Sequence, residues 1–138
     1  MSIEKKIQFY KKNLDCFEET MDKYKYLLEQ GRNSNSFPEE YRNDNFKVNG
    51  CQSQVWLVPE YKINLLNFYS DSDAFISKGM VTILCDIYGN NKPTDIIASD
   101  FELLKILELD ILLTPGRRNG VFSMLNKIKK YAHYYSQG

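Results

Sequence analysis

The sequence predicts an α+β fold in which a small antiparallel β-sheet of two to three strands packs with N-terminal and C-terminal helices. Three observations predict it. Apolar residues recur at helical spacing from Ile3 to Leu28 and again from Val121 to Tyr135. Between these stretches, Gln54-Val55-Trp56-Leu57-Val58 switches to the β-branched and aromatic types of a strand. At 138 residues, 43% of them hydrophobic, the chain can build one core, so residues 1–138 read as a single domain.

Ile3, Ile7, Tyr10, Leu14, Phe17, Met21, Tyr24 and Leu28 alternate steps of four and three, which describes one face of a helix or of two successive helices. Asp15 followed by Glu18 resembles a capping box and places the start of a second helix near Asp15, with Gly31 ending it. The polar stretch Arg32 to Asn45, with Asn33-Ser34-Asn35-Ser36 and Pro38, reads as loop. Strands are expected at Gln52–Val58 and from about Lys62 to Tyr69, joined through Pro59-Glu60-Tyr61. Phe46-Lys47-Val48 is a candidate third strand. Asp71-Ser72-Asp73 supplies caps for a helix with Ile76, Met80, Ile83, Leu84 and Ile87 on its apolar face, stopped by Gly89. Short helical pieces follow Pro93-Thr94 and Ser99-Asp100. Thr114-Pro115-Gly116 then makes a turn into a final helix marked by Val121, Met124, Leu125, Ile128, Tyr131 and Tyr135.

Charge and cysteine usage narrow the function. The formal net charge is zero, so no global field recruits nucleic acid or an anionic membrane. From Gly116 to Gly138 the chain carries Arg117, Arg118, Lys127, Lys129 and Lys130 without an acid, which is either a solvated face complementing a helix dipole or a docking surface for an acidic partner. No apolar run approaches the ~20 residues that span a bilayer. Met1-Ser2-Ile3-Glu4-Lys5-Lys6 leads into an amphipathic pattern rather than a secretory apolar region, so the expected location is cytoplasmic, with an organelle matrix as the alternative. Cys16, Cys51 and Cys85 are far apart, nothing resembles CxxC, and His133 is the only histidine. A metal site and a disulfide framework are therefore not expected.

Cys16 and Cys85 fall in helical, largely apolar segments and read as small buried hydrophobes. Cys51 differs. In Gly50-Cys51-Gln52-Ser53-Gln54-Val55-Trp56 it stands beside a glycine at a turn-to-strand junction, among polar amides. The residues alone leave a structural and a functional role open. A functional Cys51 would be a nucleophile. At an ordinary pKa of about 8.5 only a few per cent is thiolate at neutral pH, a fraction that a nearby cation or backbone N–H groups would raise. Papain-like hydrolysis needs a histidine base, and His133 on the last helix reads as a surface residue. The chemistry that remains is thiolate attack on an activated sulfur, such as accepting sulfane sulfur from a persulfide.

Four separated blocks resemble the SufE family. Tyr24-Lys25-Tyr26-Leu27-Leu28-Glu29-Gln30-Gly31-Arg32 is similar to the family's second helix and its end. Val48-Asn49-Gly50-Cys51-Gln52-Ser53-Gln54-Val55-Trp56 is similar to its persulfide-acceptor motif and is the most specific block. Asp71-Ser72-Asp73-Ala74 through Lys78-Gly79 resembles the acidic turn and following helix, and Thr114-Pro115-Gly116-Arg117-Arg118-Asn119-Gly120 the late arginine turn.

The resemblance implies a SufE/IscU-like fold and an accessory sulfur-transfer protein rather than an enzyme. Such a protein binds a pyridoxal-phosphate-dependent cysteine desulfurase, takes persulfide sulfur onto Cys51 and passes it to an iron–sulfur cluster assembly scaffold. It also activates the desulfurase by clearing that sulfur. Pyridoxal phosphate belongs to the partner, and this chain is expected to hold no cofactor. It would act as a monomer or weak homodimer. The resemblance places Arg117 near the sulfur site, stabilising thiolate or perthiolate or meeting the partner, against the plainer reading of a capping or solvated arginine. Asp73 matches an aspartate beside the active-site loop, and helix N-capping explains it equally well. Gly50, Gln52 and Gln54 support the loop or, for the two amides, face solvent. Trp56 is expected to anchor the core beneath it. Gly116 and Arg118 stand where family members usually carry serines, which implies a more flexible and more basic turn. The several cysteine ligands of related scaffolds are not matched, which favours carrier over scaffold. In the resting state the Cys51 side chain is expected to tuck into an apolar pocket. The rival readings are a non-catalytic adaptor that binds a partner through its basic last helix, and a sulfur carrier for a different pathway.

Overall fold

The computed structural model describes residues 1–137. Helix α1 (Ile3–Asp15) starts where the Ser2 hydroxyl accepts from the Lys5 N–H at 3.2 Å, and it buries Ile3, Ile7, Tyr10 and Leu14. The expected break falls at Asp15, but Asp15 is the last residue of α1 and caps nothing. Helix α2 (Thr20–Arg32) begins after Glu19, whose side chain makes no capping bond. Gly31 lies inside α2, not beyond it, because packing overrides its helix-ending tendency. It faces Gly79 of α3 (Phe75–Tyr88), where a Cβ would stand 2.0 Å from the Leu27 carbonyl oxygen, so the two helix backbones touch.

Strands β1 (Val55–Lys62) and β2 (Leu65–Ser72) form an antiparallel hairpin in register from Lys62↔Leu65 to Val55↔Ser72. Its turn is Ile63-Asn64, with φ of +52° and +64°, not the expected Pro59-Glu60-Tyr61. Pro59 sits inside β1 because its pair with Phe68 is one whose N–H and C=O point away from the partner strand, so no ladder bond is lost. The candidate third strand is reduced to a bridge, Lys47↔Trp56, with the Val48 N–H donating to the Val55 carbonyl at 2.7 Å.

Alternation gives the hairpin two faces. Val55, Leu57, Leu66 and Phe68 join the core with α3 and the later helices. Trp56 is buried on the other face, outside that core and beneath the Arg42 guanidinium, 5.0 Å from its ring. Arg42 also donates to Asp71 at 2.6 Å, and Lys78 lies 3.5 Å from the other oxygen of the same carboxylate. Burial opposes the Asp71 charge, yet the bonds from Arg42 and the Ser72 backbone, with Lys78 nearby, hold its carboxyl below its ordinary range. This cluster fastens the irregular segment before Cys51 to the hairpin.

After α3 come the short helices α4 (Pro93–Ile97) and α5 (Leu103–Ile106), then α6 (Pro115–Ser136). Thr114 caps α6 by accepting from the Arg117 N–H at 3.3 Å, and Pro115 occupies the first turn. Thr114-Pro115-Gly116 is therefore a cap and the first turn of a helix. Val121, Met124, Leu125 and Ile128 of α6 are buried, as its spacing predicts.

Candidate functional site

The loop between the Val48 bridge and β1 crosses the first half of α6. Gly50 has φ +90°, which favours glycine, and a Cβ there would stand 2.6 Å from Ser123 Oγ. Cys51 rests on Gly120, where a Cβ would stand 3.5 Å from its Sγ. The Gln52 side chain lies over Gly116, whose Cβ would meet its amide nitrogen at 2.2 Å. Positions 116, 120 and 123 share one helix face, so a strip of small residues forms the bed of the loop. The glycine at 116 thus makes room for Gln52.

Polar contacts hold the rest of the loop. Ser53 donates to Ser77 Oγ at 2.8 Å, and Arg117 donates to the same oxygen at 3.0 Å. The Gln54 N–H donates to Asp73 at 2.9 Å, while its carbonyl accepts from Ser72 Oγ at 2.8 Å and the Asp73 N–H at 3.1 Å. Asp73 therefore fastens the loop and does not cap α3, whose N-cap is Ala74 without a side-chain bond. Gln54 is held by its main chain, and Gln52 contributes packing.

Cys51 is half-buried, and its thiol donates to the Gly120 carbonyl at 3.6 Å. Burial pushes its pKa up from the ordinary value. The carbonyl acts in the same sense, because it accepts from a thiol and repels a thiolate. Arg117 is engaged with Ser77, so in this conformation the site keeps sulfur protonated. Moving the loop off α6 removes both restraints.

The other two cysteines separate clearly. Cys16 is exposed at the end of α1, against the expectation of burial, because it caps the helix beyond its last inward-facing turn. Cys85 is half-buried on α3, and burial pushes its thiol up to about 12. His133 is exposed on α6. Among the described residues no three His, Cys, Asp or Glu side chains gather as a metal site, and no helix is long and apolar enough to cross a membrane.

Most of the basic stretch of α6 is engaged within the protein. Arg118 donates to the Asp110 carbonyl at 2.7 Å, Lys127 lies over the Tyr131 ring and Lys129 over the Phe101 ring. Ser53, Ser77 and Ser123 were not foreseen as site residues, nor was the packing role of Gly120. The small residues of Gly116-Arg117-Arg118-Asn119-Gly120-Val121-Phe122-Ser123, spaced four and three apart, are the signal that marks the bed.

Fold and site define a small α+β domain that shelters one loop thiol against a helix. The family model for "SufE: Fe-S metabolism associated domain" matches residues 8–132. The chain belongs to the SufE family. It is 34% identical over 130 residues to the cysteine desulfuration protein SufE of Wigglesworthia glossinidia brevipalpis, covering 93% of this chain and 90% of that one. It is 36% identical over 120 residues to an uncharacterized SufE-like protein of Rhizobium meliloti (strain 1021), covering 83% and 86%. The fold recurs in the solution structure of a hypothetical protein from Thermus thermophilus, with a TM-score of 0.80 at 14% identity over 96% of this chain and 97% of that one.

Proposed function

We propose that this protein is a sulfur-acceptor partner and activator of a cysteine desulfurase, and that it delivers the sulfur to an iron–sulfur cluster assembly scaffold. The observation that carries the reading is Cys51 lying neutral against Gly120, on a loop fastened by a few separable polar contacts. The relative named for cysteine desulfuration and the family's description support the two ends of the transfer.

In the reaction, Cys51 loses its proton and its thiolate attacks the terminal sulfur of a persulfide on the desulfurase. The partner's S–S bond breaks, a new S–S bond forms on Cys51, and the partner's cysteine leaves as thiolate. Pyridoxal phosphate belongs to the partner. Docking favours a conformation in which the loop has left α6, a population shift driven by the differential affinity of the partner for that state. Arg117 stabilises the perthiolate once its own bond to Ser77 Oγ is released as well. Gly50, Gln52, Gln54 and Asp73 set the resting position of the loop. The protein works in the cytoplasm as a monomer or weak dimer.

The test is the intact mass after incubation with a cysteine desulfurase and cysteine, comparing wild type with Cys51→Ser. A reducible gain of sulfur in the wild type alone is expected. If neither protein gains mass while desulfurase binding persists, the adaptor reading replaces this one.

A further inference from the structure

The two edges of the hairpin differ. In an antiparallel ladder, alternate residues turn N–H and C=O toward the partner strand and the rest turn them outward. The two-residue turn makes Lys62↔Leu65 the closing bonded pair, so Leu66, Phe68 and Ser70 face outward from β2. Leu66 bears this out, since its N–H donates to the Asn91 carbonyl and its own carbonyl accepts from the Asn90 N–H, both at 2.8 Å. On the β1 edge several of the outward groups are taken up. The Val55 carbonyl accepts from Val48, the Leu57 carbonyl accepts from the Tyr131 hydroxyl at 3.0 Å, and Pro59 has no N–H. On the β2 edge, the outward N–H and C=O groups of Phe68 and Ser70 have no protein partner among the described residues.

These groups open onto a groove of about 520 Å³. Its walls include β2 from Asn67 to Ser70, Thr82 and Cys85 of α3, and Lys6 and Tyr10 of α1. That volume is within the ~300–1,000 Å³ of ordinary ligand sites. The lining is neutral and rich in amides, with Gln30, Asn33, Asn35 and Asn67 around it. Lys6 is paired with Asp86 at 3.2 Å and adds no net charge. An unpaired strand edge beside a groove is the arrangement used to capture an extended chain by main-chain hydrogen bonds.

We propose that the β2 edge at Phe68–Ser70 binds an extended, uncharged peptide segment of a partner protein, which adds to the hairpin as a third strand. Phe68 and Ser70 each supply one donor and one acceptor, matching alternate residues of the incoming chain. Residues of α1 and of the Asn33–Ser36 segment wall the groove along this edge, and its volume suits one extended segment rather than a second sheet. No residue of the 50–54 loop or of α6 lines the groove, so this site is separate from Cys51 and goes beyond the proposed sulfur transfer.

The test is selection of phage-displayed random octapeptides on the intact protein, followed by amide NMR and affinity measurement with the selected peptide. The Phe68 and Ser70 amides are expected to shift and to gain protection from hydrogen exchange. Ser70→Pro deletes one outward N–H at a position equivalent to Pro59 and is expected to weaken binding at least tenfold. Methylating alternate backbone nitrogens of the peptide leaves the protein intact, and one of the two alternating sets is expected to weaken binding at least tenfold and the other to change it little. Cys51→Ser is expected to bind as the wild type does. Failure to select any peptide that protects these amides, or equal effects of the two methylation sets, would overturn the proposal.

Discussion

Cys51 and Cys85 are both half-buried free thiols whose pKa burial raises, yet they sit on different kinds of support. Cys85 belongs to α3, the helix that α2, β2 and α6 pack against, and its backbone carbonyl accepts from Gly89 at 2.9 Å. Cys51 belongs to a loop that touches α6 through small residues and is tied down by Ser53, Asp73 and Gln54. Burial of sulfur therefore does not tell a thiol on a core helix from one on a loop. What differs is the cost of uncovering it. Uncovering Cys85 beyond the groove it lines means displacing α3 from the core, whereas exposing Cys51 means breaking a few hydrogen bonds, each contributing about 1 kcal/mol.

The comparison breaks most severely at Gly79, which lets α2 and α3 touch. Gly79→Ala places a Cβ 2.0 Å from the Leu27 carbonyl oxygen, a backbone atom that cannot swing aside. The expected loss is about 3–5 kcal/mol, read as a lower denaturant midpoint with Cys85 and Cys51 becoming reactive together. Gly50→Ala is milder and local. It strains a φ of +90° and meets the movable Ser123 hydroxyl, for an expected cost of about 1–2 kcal/mol. Cys51 alkylation by iodoacetamide is then expected to quicken at least fivefold while the Cys85 rate is unchanged. Ser77→Ala removes the oxygen that both Ser53 and Arg117 donate to. A two- to fivefold faster Cys51 alkylation is expected, with a stability change of about 1 kcal/mol.

The smallest effect at neutral pH comes from Cys85 itself. Its thiol stays protonated in the folded protein up to about 12, while the unfolded chain ionises at its lower, ordinary value. Below the lower value both states carry the proton and stability is unaffected. Between the two values unfolding releases a proton, so stability falls as pH rises. Denaturant midpoints measured from pH 8 to 11 are expected to decline less in Cys85→Ala, relative to its own value at pH 8, than in the wild type.

Much of this arrangement was legible in the sequence. The periodicity of Ile76, Met80, Ile83, Leu84 and Ile87 marks α3, and the glycine beside Cys51 marks a loop thiol before a strand. The hairpin turn was not legible, because Ile63 and Asn64 both take positive φ without a glycine and Ile63 is β-branched. Pro59 misled in the same region, since its harmlessness depends on ladder parity, which only the register reveals. Gly31 looked like a helix end because its partner, Gly79, is distant in sequence. Asp73 looked like a cap because short-range patterns do not show that the Gln54 N–H arrives from another element.

The bed beneath Cys51 is made of a main-chain carbonyl and an absent side chain at Gly120. Neither can be deleted by substituting another residue of α6, and only a change at Gly120 itself fills the space. Re-engineering the exposed surface of the helix, for instance at Asn119 or Asn126, therefore leaves the sulfur's immediate surroundings as they are. The exposed face of α6 and the sulfur environment are therefore separately adjustable.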